Sequence, residues 1–467
     1  TTVIDAYLSP LLGRYLSRLG ARCEEAGLPE PSIMQSSGGV ARLGDAARGA
    51  AWSVLSGPAG GAVGAATLAR LSDAPDALGF DMGGTSCDVC VISDGEVRRS
   101  AGREIGMRPI RLPMVDVHTV GAGGGSIGWR DEGGALRAGP RSAGADPGPA
   151  CYGLGGEEPT VTDANLVLGY LPPGGSLAGG VELDVDAAER SIEGLAEELG
   201  MSATEAAAGI VRVANHEMIG ALRVVTVERG IDPRGFALMA FGGAGGMHAA
   251  AIAAELEIGR ILCPRAAGVL SALGLIAGEH RHDISRTVML TGEQLTDAAV
   301  GRAVGELGRG AAEGLDDHRL EVTYEVRYEG QAFELDVEAA PDAGVERIGE
   351  LFAVAHERRY GYRDDDSAIE LVGIRVAAIE KGEAPEPTAT GSEEPARRGS
   401  RRAFFSGEWT DAEVLSGEPA PGMSLSGPAV LELPETTLVV PPGATADVDE
   451  RGTVELSLAD GGGRDRA

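Results

Sequence analysis

Lysine is almost missing. Lys381 is the single lysine in 467 residues, so nearly all of the 40 Lys and Arg positions are arginine, set against 71 Asp and Glu. The formal net charge of -31 leaves no basic patch and excludes a nucleic-acid surface. The scarcity of lysine also excludes the lysine-bearing phosphate loop, since no G-x-x-x-x-G-K-[ST] occurs. No run is apolar and long enough to read as a transmembrane helix, and none reads as a secretory leader. The five cysteines, Cys23, Cys87, Cys90, Cys151 and Cys263, form no dense framework, and their number is odd. Reduced thiols in a cytoplasmic protein are the expectation. Glycine, by contrast, fills 72 positions, about twice the ordinary share. There is no triplet period, which excludes collagen and points to tight turns and close backbone approaches.

With 43% hydrophobic residues the chain can bury a sizeable core. Its first 27 residues read as a helix. The small-residue stretch Ser56 to Gly61 reads as a turn before a helix over Ala62 to Leu71. The runs LGFDM and VCVIS read as strands either side of GGTSCD, and residues 103 to 180 read as loops over a functional face. Helical patterning returns from Asp184 to about Arg229. Ala237 to Phe241 reads as a strand, followed by a glycine turn and a helix from Met247. These features set a core over 1–285 and an α/β continuation over 286–381. A linker rich in Glu, Pro, Ala and Thr follows over 382–400, then a small β-rich domain over 401–467.

Chemistry concentrates in GFDMGGTSCDVCVI, from Gly79 to Ile92. Asp81 ends an apolar strand, Gly83 and Gly84 turn the chain, and Asp88 opens the return strand. Successive amides in such a turn form a nest for an anion, and Thr85 and Ser86 add hydroxyl donors. Two carboxylates beside a phosphate nest make sense where a divalent cation bridges them. Mg2+ accepts few protein oxygens, so Asp81 and Asp88 suffice as its candidate ligands. The competing interpretation is a hairpin whose aspartates cap the turn. Ser56 and Gly57 open a second small-residue stretch, SGPAGGAVGA, whose following helix can offer free amides. Gly242, Gly243, Gly245 and Gly246 lie in a third, AFGGAGGMHA, whose spacing departs from the dinucleotide fingerprint. Asp116 and His118 share one strand face, and Asp146 and Asp163 lie in the loops beyond. With His248 these are candidates for proton handling, against caps and packing. Oxygen and imidazole ligands also suit Mn2+ or Zn2+. Asn215 interrupts an apolar helix stripe and faces either a ligand or a buried partner.

The segments MQSSGG, SGPAGGAVGA, FDMGGTSCDV, HTVGAGGGSIGW, GPRSAGADPGPACYGLGGEEPTVTDANLVLG, FGGAGGMHA and RYEGQAFEL together resemble the hydantoinase A/5-oxoprolinase family, which includes the beta subunits of ketone carboxylases. GPAVLELPETTLVVPPG resembles its small terminal domain. The resemblance implies an actin-like (ribonuclease H-like) α/β ATPase fold of one or two lobes, with ATP and Mg2+ as cofactors. Mn2+ is an alternative. It implies phosphorylation of the carbonyl of a small cyclic amide, a hydantoin or 5-oxoproline, followed by ring opening. It also implies a large partner subunit of the hydantoinase B type. The alternatives are a beta-type subunit of a ketone carboxylase and a non-catalytic nucleotide-binding or truncated inactive protein. By the same resemblance Asp81, Gly83, Gly84, Thr85 and Asp88 belong to the second phosphate motif and Gly242 to Gly246 to the adenosine motif. Asp116, His118 and Asp146 line the neighbouring region. A first lobe with its own D-x-G-G-T-x-x-D motif has no counterpart here: a truncated gene, removal of that lobe and a separate chain that supplies it are the open alternatives, and half of the phosphate clamp is expected to lie outside this sequence.

Overall fold

The computed structural model describes residues 1–458 apart from 101, 178–179, 365, 381 and 383–395. Most of the linker expected over 382–400 therefore lies outside the described residues. The chain forms two compact units, each assembled from separate segments. One comprises Thr1–Ser56, Ser100–Met114 and Ile276–Ala384; the other comprises Gly57–Arg99, Val115–Leu275 and the described part of Pro385–Ala467.

The second unit is built on a nine-stranded sheet that includes the strand Ala77–Met82. Cys87–Ser93 pairs with it antiparallel, as a hairpin, and Val117–Val120 continues antiparallel to the edge. On its other side lie Ala237–Phe241 and then Arg260–Cys263, both parallel. Parallel neighbours need crossover connections, and the helices Ala203–Val225 and Gly245–Glu255 lie within those connections. These helices and Ser56–Leu71 bury mostly small residues. A Cβ on Gly64 would come 2.5 Å from the Leu270 carbonyl oxygen, so the glycine excess serves close helix packing. The helix that was expected to begin at Ala62 begins at Ser56 instead and takes in the whole SGPAGG stretch.

The C-terminal β-rich part divides its strands. Arg397–Phe405, Glu408–Ser416, Ala429–Glu432 and Thr437–Val440 form a four-stranded sheet. Val454–Ser457, Thr445–Val448 and Ser424–Ser426 instead extend the nine-stranded sheet beyond Arg260–Cys263. Residues 103 to 180 also hold more strand than expected, in short hairpins such as Ser126–Arg130 with Leu136–Ser142.

The first unit carries a six-stranded sheet. Its long strands are His280–Leu290, Ile369–Glu380, His318–Tyr328 and Leu335–Ala339, in that order. Val322, Tyr324, Val326, Ile374 and Val376 bury one face with the helices Asp297–Ala311 and Val345–Tyr360. Strand alternation turns Thr323, Glu325 and Arg375 to the opposite face.

With a net charge of -31, the compact state works against its own repulsion. Raising salt from about 0.1 M to about 1 M shortens the screening length roughly threefold. The melting temperature is expected to rise across that range, and a flat curve would show that the acidic surface costs the fold nothing.

Candidate functional site

The turn after Ala77–Met82 closes with the Gly83 N–H donating to the Ser86 carbonyl at 3.1 Å. It sets Asp81 directly opposite Asp88 in the strand register. Like charges so placed repel. Burial first, and the Asp88 charge second, raise the Asp81 carboxyl from 3.8 to about 6. Among the described residues Asp81 has neither a hydrogen-bond nor an ion-pair partner. Asp88 accepts a hydrogen bond from the Thr119 hydroxyl at 2.5 Å.

Two glycines frame the Asp81 carboxylate. A Cβ on Gly61 would lie 3.4 Å from Asp81 Oδ2 and 3.2 Å from Ser271 Oγ, and one on Gly242 would lie 2.4 Å from Asp81 Oδ1. Gly242 has a left-handed φ of 78°, and its N–H donates to the Ala267 carbonyl at 2.9 Å. The Thr436 hydroxyl donates to the Gly242 carbonyl at 2.9 Å, which ties the C-terminal segment to this turn. Residues missed in the sequence, Thr119, Ser271 and Thr436, thus border the expected ones.

The Gly83 to Ser86 turn is also clamped from behind by the G-A-G-G-G-S run. The N–H groups of Gly124 and Gly125 donate to the carbonyls of Gly83 and Gly84 at 3.0 and 2.6 Å. A Cβ on Gly123 would come 2.7 Å from the Thr85 backbone nitrogen. This second backbone, three glycines in a row, holds the turn while Gly84 and Thr85 stay exposed.

The other expected site residues divide. Ser56 and Gly57 sit at the start of the helix Ser56–Leu71, with Gly57 exposed. Gly243 is exposed beside Gly242, whereas Gly245 and Gly246 are buried. A Cβ on Gly246 would come 2.5 Å from the Thr437 carbonyl oxygen, so this glycine seats its helix against the strand Thr437–Val440. His118 is half-buried, next to Thr119 on the strand that pairs with Asp88. Asp116 is ion-paired with Arg229, and Asp146 is exposed.

His248 is fully buried, with Nδ1 2.6 Å from Asn215 Oδ1 and Nε2 3.2 Å from Asn165 Nδ2. Burial lowers its pKa to about 4, so the ring is neutral. It joins three helices, and in this arrangement neither nitrogen is left to take a substrate proton. Asn215 is thereby a buried partner. Asp163 is also interior, and its carboxylate accepts from the N–H groups of Ala150, Cys151 and Thr160 and from the Thr160 hydroxyl. The buried Cys151 thiol is pushed up by burial and then by the Asp163 charge, away from nucleophilic use.

Among the described residues no group of three or more His, Cys, Asp or Glu side chains could hold a metal ion. Asp81, with no partner among the described residues, and the facing Asp88 fit a different kind of cation, one that brings water and phosphate oxygens as its remaining ligands, as Mg2+ does. None of the helices among the described residues is long and apolar enough to cross a membrane.

The hydantoinase/oxoprolinase family model matches residues 1–284, and the model of that family's C-terminal domain matches residues 302–458. The chain belongs to the hydantoinase/oxoprolinase family. This family member is 38% identical to the caprolactamase alpha subunit of Pseudomonas jessenii, over 98% of its own length and 69% of the relative's. An uncharacterized protein of Methanocaldococcus jannaschii is 39% identical over the same shares, 98% and 69%. The acetone carboxylase beta subunit of Xanthobacter autotrophicus is 30% identical over 95% and 66%. In three dimensions the chain is similar to the ATP-dependent caprolactamase of Pseudomonas jessenii, with a TM-score of 0.83 and 36% identity over 98% of this chain and 70% of that one. The nucleotide-free acetone carboxylase follows, with a TM-score of 0.77 and 27% identity over 95% and 67%. The fold is thus the expected mixed α/β, actin-like architecture with a smaller β-rich part.

Proposed function

We propose that the chain is the nucleotide-binding component of an ATP-dependent cyclic-amide hydrolase. The observation that carries this reading is the pair Asp81 and Asp88, facing each other across a glycine turn with no cationic partner for Asp81. Asp81 and Asp88 would hold Mg2+, or Mn2+ in its place, directly or through water. Bound there, the cation would draw charge from the phosphate oxygens. The amides of Gly83 to Ser86 and the hydroxyls of Thr85 and Ser86 would orient the transferring phosphoryl, with Gly61 and Gly242 excluding bulk next to the carboxylates. The ring carbonyl oxygen would take the γ-phosphoryl as ADP leaves, and water would then open the ring and release phosphate.

His118 is the proposed proton carrier, with Asp116 and Asp146 as proposed neighbours of the substrate path. The greater identity to a caprolactamase subunit than to an acetone carboxylase subunit favours a lactam over a ketone. By the same reasoning a large subunit of the hydantoinase B type is the proposed partner, and a separate lobe would complete the phosphate contacts. The test is ADP release by the chain with such partners. Stimulation by a lactam, hydantoin or 5-oxoproline is the expected result. Stimulation only by a ketone with bicarbonate would overturn the reading.

A further inference from the structure

The strands Ala429–Glu432 and Thr437–Val440 form an antiparallel hairpin in the C-terminal part of the second unit. The Leu433 N–H donates to the Thr436 carbonyl at 2.9 Å, which closes a short tip from Leu433 to Thr436. Three contacts hold this tip and the strand after it against the glycine turn at Gly242. The Thr436 hydroxyl, which donates to the Gly242 carbonyl, also lies 3.4 Å from that of Gly243. Gly246 seats its helix against Thr437. A Cβ on Gly268 would come 2.4 Å from Glu435 Cβ, 2.8 Å from the Glu435 carbonyl oxygen and 3.1 Å from Glu435 Oε2. Gly268, on the short helical turn Ala267–Val269, thus makes room for this glutamate.

Gly242 meets Asp81 on one side and the hairpin tip on the other, so the tip borders the proposed nucleotide site. The Glu435 side chain is exposed there, with no hydrogen-bond or ion-pair partner among the described residues. Its carbonyl oxygen lies 3.9 Å from the place of a Cβ on the exposed Gly243. In a chain of net charge -31, a further free carboxylate on this turn adds repulsion.

The chemistry of a carboxylate narrows what Glu435 can meet. When ionised it accepts hydrogen bonds and donates none, so phosphate oxygens offer it nothing. It does not complete the cation site either, since no group of three or more His, Cys, Asp or Glu among the described residues could hold a metal ion. A nucleotide's sugar, however, carries two adjacent hydroxyls, one for each carboxylate oxygen, whereas the adenine amine is a single nitrogen. Acidic side chains hold ribose hydroxyls in dinucleotide-binding folds for the same reason.

We infer that Glu435 binds the ribose of the nucleotide, accepting from its 2′- and 3′-hydroxyls, so that the C-terminal hairpin completes the sugar end of the site. The inference rests on the nucleotide-binding reading proposed above.

Calorimetry on the full chain in Mg2+ tests it, with ATP, 2′-deoxyATP and ITP as probes. The wild type is expected to bind ATP at least about tenfold more tightly than 2′-deoxyATP. Glu435→Ala, on an exposed side chain, should bring the two within about twofold and leave the ratio of ATP to ITP unchanged. Gly268→Ala, which displaces the glutamate, should lower the same sugar preference. A sugar preference that survives Glu435→Ala, or a change in the ATP-to-ITP ratio instead, would overturn the inference and leave the nucleotide reading standing. No ATP binding by the wild type would overturn both.

Discussion

Asp81→Asn should abolish Mg2+-dependent nucleotide binding while leaving the chain folded. Asparagine keeps the shape between Gly61 and Gly242 but carries no charge for a cation. The expected loss of affinity is at least about 100-fold. The stability effect has the opposite sign. A carboxyl that titrates at about 6 when folded, against 3.8 ordinarily, takes up a proton on folding. The wild type should therefore lose stability as pH rises from about 3.8 to about 6 and stay level above that range. Asp81→Asn removes this loss and should be more stable at neutral pH by up to about 3 kcal/mol. In the wild type a cation competes with the same proton, so cation affinity should fall up to about tenfold per unit below pH 6. A thermal melt and a pH series of cation titrations check both signs. A less stable Asp81→Asn would show that the carboxylate is structural.

Gly274→Ala should be among the most damaging single-methyl changes in the chain. The added Cβ would come 1.8 Å from the Gly60 carbonyl oxygen and 2.9 Å from the Gly64 nitrogen, both backbone atoms of the helix Ser56–Leu71. Backbone cannot swing aside as a side chain does, so the helices Ser56–Leu71 and Leu270–Ala277 must separate. The expected cost is about 3 kcal/mol or more, a drop in melting temperature of roughly 6–12 °C. Gly61 and Ser271 sit on the same two helices beside Asp81, so nucleotide binding should weaken along with the fold. A control at Gly57, where a Cβ would meet nothing within 4 Å, should change the melting temperature little. Equal melts for Gly274→Ala and the wild type would mean that the two helices do not pack this closely.

The Asp81 turn was legible because the information is local. An apolar strand, two glycines and a returning strand within 14 residues fix which carboxylates face each other. The clamp by Gly123 to Gly125 and the contacts of Ser271 and Thr436 were not, since each depends on chain brought back from far along the sequence. The SGPAGG stretch read as a turn because glycine and alanine give no apolar stripe. Burial against Leu270 and Gly274 makes it helical, with tertiary packing overriding a weak local preference. His248 shows the reverse limit. Its neighbourhood of glycines suggested a ligand, but its partners Asn165 and Asn215 lie 83 and 33 residues away. The C-terminal strands gave their β character plainly, but their pairing with Arg260–Cys263 could not be read from alternation alone.

The most direct measurement is a calorimetric titration of the wild type and Asp81→Asn with ATP, in Mg2+ and in EDTA. The account predicts micromolar binding by the wild type in Mg2+ only, and none by Asp81→Asn. Binding that ignores both EDTA and the substitution, or no binding by the wild type, would contradict it.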